Sequence, residues 1–273
     1  MRIVLAPDSF KESMSARAAA AAMERGVRAV LPDAECVAVP MADGGEGTVD
    51  ALVGALGARR VHAEVTGPLG GRVVAEYGWV ADRRLAVIEA AAAVGVGLVP
   101  AAHRDVLRAD SRGLGELVRH ALDAGAQRLM IGLGGTVTND GGAGMLHALG
   151  ARLLDDEGDD VAPGPAGLEA LVRLDGSALD RRLAGTEMVL ATDVTNPMLG
   201  LEGASAVFGP QKGASPQDVP RLDAALGRFA AHLAVLAGRD VAPLPGAGAA
   251  GGIGAALLAC APAVVRPGAE VVL

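Results

Sequence analysis

Aromatic side chains are scarce: three Phe, one Tyr and one Trp, 2% of 273 residues. The interior must therefore be filled mostly by Ala, Val and Leu. Cysteine is limited to Cys36 and Cys260, too few for a disulfide framework and without metal-ligand spacing. Both stand in apolar surroundings, as buried thiols of a reducing compartment would. Basic residues are outnumbered, 24 Lys and Arg against 32 Asp and Glu, for a formal net charge of −8. That balance argues against nucleic acid, whose phosphate backbone demands a Lys/Arg face. An acidic chain holds a phosphate only with local help from glycine loops, a few cations or a metal. No apolar run reaches ~18 residues without charges or breaks. The stretch R-I-V-L-A (2–6) is too short for a signal-peptide core and meets Pro7 and Asp8 at once. A soluble, cytoplasmic protein without membrane partners is expected. The five histidines (62, 103, 120, 147, 232) stand outside the polar loops, so no Ser-His-Asp, Cys-His or His/Cys metal arrangement suggests itself. No G-x-x-x-x-G-K-[ST] phosphate loop occurs either.

What the chain has in excess is glycine, 39 residues, well above the usual share of about 7%, and clustered in loops. The composition is otherwise globular, 51% hydrophobic and 21% charged, and the length suits two domains. The central stretch is I-G-L-G-G-T-V-T-N-D-G-G-A-G (131–144). A short apolar run, 128–131, precedes it as a buried strand, and 145–149 follows as helix with Gly150 as its stop. Glycines here could simply turn the chain. They also let backbone approach a ligand without a Cβ in the way, and a loop entering a helix offers N–H groups to an anion.

The N-terminal part has the same rhythm. A strand over 3–6, the loop P-D-S-F-K-E-S (7–13) and a helix over 15–30 open a βαβ unit, whose ligands lie at carboxyl ends of strands. A second strand, 36–39, enters P-M-A-D-G-G-E-G (40–47), followed by a helix over 48–56. From Val61 the period changes to two: 61–65 and 73–79 alternate around the turn G-P-L-G-G (67–71), predicting a hairpin and a second domain. Residues 85–88 extend that sheet. Residues 111–124 form an amphipathic helix with Leu114, Leu117, Val118 and Leu122 on one face, and 216–236 form a long packing helix. The acidic run 155–160 reads as a solvated hairpin tip. G-A-G-A-A-G (246–251) imitates a dinucleotide fingerprint, but the preceding V-A-P-L-P makes a poor strand. The chain also stops before a βαβ unit could close. These glycines are expected to let the next helix pack closely or face a shared cleft.

Polar residues on the strand-end loops form one chemical set. Asp8, Asp43, Glu46, Asp140 and Asp193 offer carboxylates. Ser9, Thr138, Asn139 and Asn196 offer hydroxyls and amides, Lys11 and Lys212 offer cations, and Gly44 and Gly45 offer backbone N–H groups. The set suits phosphoryl transfer, in which glycine N–H groups and lysines hold phosphate oxygens, carboxylates hold Mg²⁺, and one Asp takes a hydroxyl proton.

Six blocks, A-P-D-S-F-K-E-S (6–13), P-M-A-D-G-G-E-G-T (40–48), G-L-G-G-T-V-T-N-D-G-G (132–142), A-T-D-V-T-N-P (191–197), F-G-P-Q-K-G-A (208–214) and P-G-A-G-A-A-G-G (245–252), closely resemble the bacterial type-1 glycerate kinases. The resemblance runs from end to end. It implies ATP-dependent phosphorylation of D-glycerate, usually to 2-phosphoglycerate. The implied fold is α/β: a Rossmann-like domain with a second α/β domain inserted, and the active site in the cleft between. Residues 1–62 are assigned to the N-terminal part of the first domain and 63–273 to the inserted one. From chemistry and resemblance together, Lys11, Asp43 and Asp193 are the catalytic candidates, with Asp193 also the metal candidate. Asp8, Ser9, Gly44, Gly45, Glu46, Thr138, Asn139, Asp140, Asn196 and Lys212 are the substrate-binding candidates. The Asn139-Asp140 pair is expected to touch substrate or to hold the loop that does.

Two departures stand out. Family members usually continue past residue 273 with a G-E-G-x-x-D-like block that completes the Rossmann-like domain. Its absence would leave strands 3–6 and 36–39 as a fragment with exposed edges unless paired or covered: either the sequence is a shortened one, or another chain supplies the missing strands. Where the family usually reads Y-G-T-G, this chain has Arg112-Gly113-Leu114-Gly115. A non-catalytic remnant that binds glycerate or phosphate, and a kinase for another small hydroxy acid, stand as alternatives.

Overall fold

The computed structural model describes all residues except 9, 11, 12, 40, 42–46, 48, 50–55, 269 and 271–273. The candidates Ser9, Lys11, Asp43, Gly44, Gly45 and Glu46 therefore lie outside the described residues, as does most of the helix expected over 48–56. β1 (Arg2–Leu5) leads into α1 (Ala16–Val30) and returns as β2 (Glu35–Ala38), parallel to β1. Ser15 caps α1, its hydroxyl accepting the Ala18 N–H at 3.2 Å, one of the helix-start donors that otherwise lacks a partner. The helix buries only Ala16, Ala19 and Ala20, and Val4 and Val30 remain 60% and 79% exposed. Among the described residues β1 and β2 pair with each other and with no third strand.

The alternation at 61–79 becomes the antiparallel pair β3 (Arg59–Thr66) and β4 (Arg72–Val80), closed by a turn in which Gly67 N–H donates to Gly71 O at 2.6 Å. β5 (Leu85–Glu89) continues antiparallel to β4 and runs into α2 (Ala90–Val94). α3 (Arg112–Asp123) lays Leu114, Leu117, Val118 and Leu122 on the core; full burial of such side chains contributes about 1.5–3 kcal/mol each. β6 (Arg128–Gly132) feeds the glycine-rich loop and α4 (Ala143–Ala148), and Gly150 ends that helix with a positive φ of 107°. β7 (Arg152–Leu154) and β8 (Arg173–Asp175) make a small antiparallel sheet. The acidic run after β7 is a largely exposed turn, as expected, with Arg152 paired to Asp160.

β9 (Glu187–Ala191), α5 (Ala204–Phe208), α6 (Asp218–Ala237), α7 (Ile253–Cys260) and β10 (Ala263–Arg266) follow, with short 3-10 turns among them, one of which, Pro210–Lys212, carries Lys212. The main sheet has the order β10-β9-β6-β5-β4-β3, and its four members from β10 to β5 are parallel. Their register places Glu89, Gly132, Ala191 and Arg266 in one row at the carboxyl edge. Tyr77, Ile88, Leu129, Ile131, Leu190 and Phe229 fill the core. The mixed α/β class is the one the sequence implies.

Two expectations need correction, and one element was not expected at all. β10 pairs parallel to β9, so α7 does lead into a strand of the same sheet, although residues 241–245 before it form none. α5 escaped notice because five residues of A-S-A-V-F carry too little periodicity. The cysteines are half-buried rather than buried residues. The Cys260 thiol itself is enclosed, pairing with Leu257 O at 3.8 Å, and burial pushes its pKa up to about 12. No helix among the described residues is long and apolar enough to cross a membrane.

α3 and α4 approach through Gly115, where an added Cβ would meet Met145 O at 2.3 Å and Ala148 Cβ at 2.8 Å. Gly115→Ala is expected to destabilise the fold by about 1–3 kcal/mol through overpacking, read as a lower urea midpoint at unchanged slope. An unchanged midpoint would mean that α4 yields freely.

Candidate active site

The carboxyl edge of a parallel sheet is where strands release their loops, and ligands bind there because several loops open onto one crevice. Here that edge faces a cleft of about 1110 Å³. Asp8 and Phe10 line it from the loop after β1, Arg60 and Glu76 from the β3–β4 face, and Glu89 from the end of β5. Gly134, Gly135 and Thr136 come from the loop after β6, Thr192 and Asp193 from the loop after β9, and Lys212 from the turn after α5.

The glycine-rich loop divides in two. Its first half faces the cleft, and its second half turns inward: Thr138, Asn139 and Asp140 are all fully buried and none lines the cleft. Asp140 Oδ2 accepts from Ser111 N–H at 2.9 Å, Ser111 Oγ at 2.6 Å and Gly144 N–H at 3.1 Å, and Oδ1 accepts from Gly142 N–H at 3.2 Å. Ser111 Oγ in turn accepts the Met145 N–H at 2.9 Å. The helix entrance that looked ready for an external anion is thus occupied by the protein's own carboxylate, and the donors of α4 are satisfied internally. Asn139 Nδ2 donates to Ser205 Oγ at 2.9 Å. Thr138 Oγ1 and Asn139 Oδ1 find no hydrogen-bond partner among the described residues.

A second carboxylate abuts this knot. Asp110 accepts from Arg112 N–H at 2.7 Å and Gly164 N–H at 3.3 Å. It is 7% exposed. Burial first and the Asp140 charge second push its pKa up to about 6, against backbone donors that favour the charged form.

Lys212 is the buried cation of the cleft, 2% exposed. Its Nζ donates to Thr138 O at 2.6 Å and Thr136 Oγ1 at 3.4 Å. Arg104 fixes the turn that carries it, donating to Gln211 O at 3.2 Å, Val99 O at 3.3 Å and Val96 O at 3.4 Å. Asp193 is exposed, and its Oδ1 accepts the Gly268 N–H at 2.9 Å. Asn196 is off the cleft wall: its amide donates to Glu202 O at 2.8 Å and closes its own loop.

Of the described candidates, Asp8, Asp193 and Lys212 come together on one cleft; Thr138, Asn139, Asp140 and Asn196 lie behind or beside it. Sequence reasoning passed over Arg60, Glu89, Arg104 and Ser111. Glu89 carried one available signal, an acid closing an apolar run at a strand end. The other three depend on contacts between distant segments.

A family model described as the glycerate kinase family matches residues 3–273. The chain is 51% identical over 272 residues to a glycerate 2-kinase of Escherichia coli K12, covering 100% of this chain and 71% of that protein. It is 50% identical over 273 residues to a glycerate kinase of Bacillus subtilis 168, covering 100% of this chain and 72% of that one. The crystal structure of a Salmonella typhimurium LT2 protein assigned as glycerate kinase 2 superposes with a TM-score of 0.87 at 57% identity, covering 100% of this chain and 73% of that chain.

The raised pKa of Asp110 has a thermodynamic sign. The folded protein binds that proton more tightly than the unfolded chain does, so stability rises as pH falls through about 6 toward the ordinary 3.8. The interval corresponds to about 3 kcal/mol. Relative to Asp110→Asn, the wild type should gain about 2 kcal/mol of unfolding free energy between pH 7.5 and pH 4.5. Parallel pH profiles of the two proteins in denaturant titrations would refute the assignment.

Proposed function

The chain belongs to the glycerate kinase family, and we propose that it is a cytoplasmic, ATP-dependent kinase that converts D-glycerate to 2-phosphoglycerate. The observation that carries this reading is the convergence of Asp8, Gly134, Gly135, Asp193 and Lys212, far apart in sequence, on one cleft. Its volume of about 1110 Å³ exceeds what a three-carbon acid fills, and sites for larger ligands run to roughly 300–1,000 Å³. There is room for a nucleotide beside a small acid. Residues 1–62 are read as the N-terminal part of a Rossmann-like domain and 63–273 as the domain inserted into it.

The reaction joins a glycerate hydroxyl oxygen to the terminal phosphorus of ATP and breaks that phosphorus's bond to the bridging oxygen. ADP departs, and the hydroxyl proton passes to a carboxylate. Asp193 is the first choice for that carboxylate and Asp43 the second. Lys212, buried and oriented by two neutral oxygens, offers a fixed positive charge to phosphate or glycerate carboxylate oxygens, and Lys11 is assigned the same chemistry. Such preorganised charge is worth more in a site shielded from water than in solvent. Ser9, Gly44, Gly45 and Glu46 complete the proposed contacts, and Asp140 serves the site by holding the loop.

The donor set also fits Mg²⁺. The described residues contain no group of three or more metal-ligating side chains, but Mg²⁺ commonly takes one or two carboxylates and completes its shell with water and substrate phosphates. Asp193 would hold it, assisted by Asp8. When bound, the ion neutralises charge on the phosphates.

A coupled assay of ADP release with D-glycerate and Mg-ATP tests the reading. Lys212→Met should lower kcat by about 10²–10³-fold, the range for removing one preorganised donor, with little change in thermal midpoint. Asp193→Ala with kcat intact would remove Asp193 from its role. A well-folded wild type that releases no ADP with D-glycerate, or works only on another hydroxy acid in a substrate panel, would overturn the proposal.

A further inference from the structure

Glu89 is the last residue of β5 and the acidic member of the strand-end row whose other members are Gly132, Ala191 and Arg266. It lines the cleft. Its Oε1 accepts the Val49 N–H at 2.7 Å, across 40 residues of sequence. That length is typical of a charge-assisted bond, roughly twice as strong as a neutral one. Val49 is 3% exposed, and its side chain packs with Ala58, Val80, Leu85 and Val87. The same residue is therefore held twice, by an apolar contact on the sheet and by its backbone on a carboxylate.

Val49 directly follows the block P-M-A-D-G-G-E-G-T, three residues after Glu46 and six after Asp43. The sheet edge grips the chain where that block ends.

We infer that Glu89 is a positioning residue for phosphoryl transfer: its carboxylate clamps the Val49 amide and so fixes to the strand-end row the residue that directly follows the 40–48 block. The idea rests on the kinase reading above for its catalytic consequence, and on the 2.7 Å bond alone for the clamp. A carbonyl oxygen can replace the carboxylate in accepting one N–H, whereas a methyl group cannot. Glu89→Gln should thus keep the clamp and Glu89→Ala should lose it.

The experiment is hydrogen–deuterium exchange on the purified full chain, run beside the ADP-release assay. In Glu89→Ala, exchange of the Val49 amide, resolved by overlapping peptides, should accelerate at least tenfold while β3 and β4 keep their protection. Its kcat should fall at least tenfold, and KM for D-glycerate should change by less than threefold. Glu89→Gln should restore both protection and kcat to within threefold of wild type. Unchanged exchange in Glu89→Ala would overturn the clamp. A Glu89→Gln protein that keeps protection yet is as slow as Glu89→Ala would also overturn the proposal, because the charge rather than the bond would then be the requirement. If the wild type shows no kinase activity, the exchange arm still decides the clamp, so the two readings fail separately.

Discussion

A buried carboxylate is tolerable only when its lone pairs are met by donors, because removing an ionised group from water otherwise costs several kcal/mol. Asp140 meets that condition with four bonds, and those bonds organise the cleft. Two come from Ser111 at the start of α3 and two from Gly142 and Gly144 at the start of α4. Two helix entrances and the second half of the glycine-rich loop are thereby fixed to one functional group. With that half anchored, the first half of the loop has a defined place at the cleft wall. Thr138 also faces outward through its backbone, since its carbonyl orients Lys212. A single internal carboxylate thus connects helix packing to the position of Lys212, the cation proposed to meet substrate.

The same knot carries internal opposition. Asp110 shares its surroundings with Asp140, and burial together with that neighbouring charge raises its pKa. An added Cβ at Gly144 would sit 2.2 Å from Asp110 Oδ1, so the two acids can coexist only where a glycine leaves room between α4 and the segment before α3. Thr138 Oγ1 and Asn139 Oδ1 add buried oxygens without partners among the described residues. Polar groups collected at such expense belong to a region whose geometry serves more than stability.

Much of the architecture was legible because it rests on short-range signals. The period-two alternation of 61–79 marks β3 and β4, the apolar stripe Leu114, Leu117, Val118, Leu122 marks α3, and Gly150 marks the end of α4. The site was legible only in outline. Asp8, Asp193 and Lys212 could be chosen because each follows an apolar strand or stands between glycines, and all three reach the cleft. Asp140 had the same credentials and points inward. What distinguishes it is Ser111, 29 residues earlier, and nothing local announces that partnership. Glu89 was hidden in the opposite way: it precedes the Ala-rich α2 without capping it by a side-chain bond, and its carboxylate instead accepts the N–H of Val49, 40 residues earlier.

The two glycine-rich strings make the same point about motifs. Residues 246–251 match a dinucleotide fingerprint in letters, but their glycines answer to protein rather than ligand. Ala250 and Gly251 both have positive φ, 54° and 71°, and an added Cβ at Gly251 would lie 2.1 Å from Thr138 O and 2.9 Å from Lys212 Nζ. Gly251 O accepts the Gly141 N–H at 2.9 Å. This segment is pressed against the inward half of the central loop, and its missing side chain is the space that loop and Lys212 occupy. Of the second string, only Ala250 reaches the cleft wall, where Gly134 and Gly135 represent the first. Glycine content identifies where backbone must come close to something; which chain or ligand it approaches is decided by the partner's geometry. Here the second string backs the first, so a larger residue at Gly251 would act on the site through Lys212 and Thr138 without itself touching substrate.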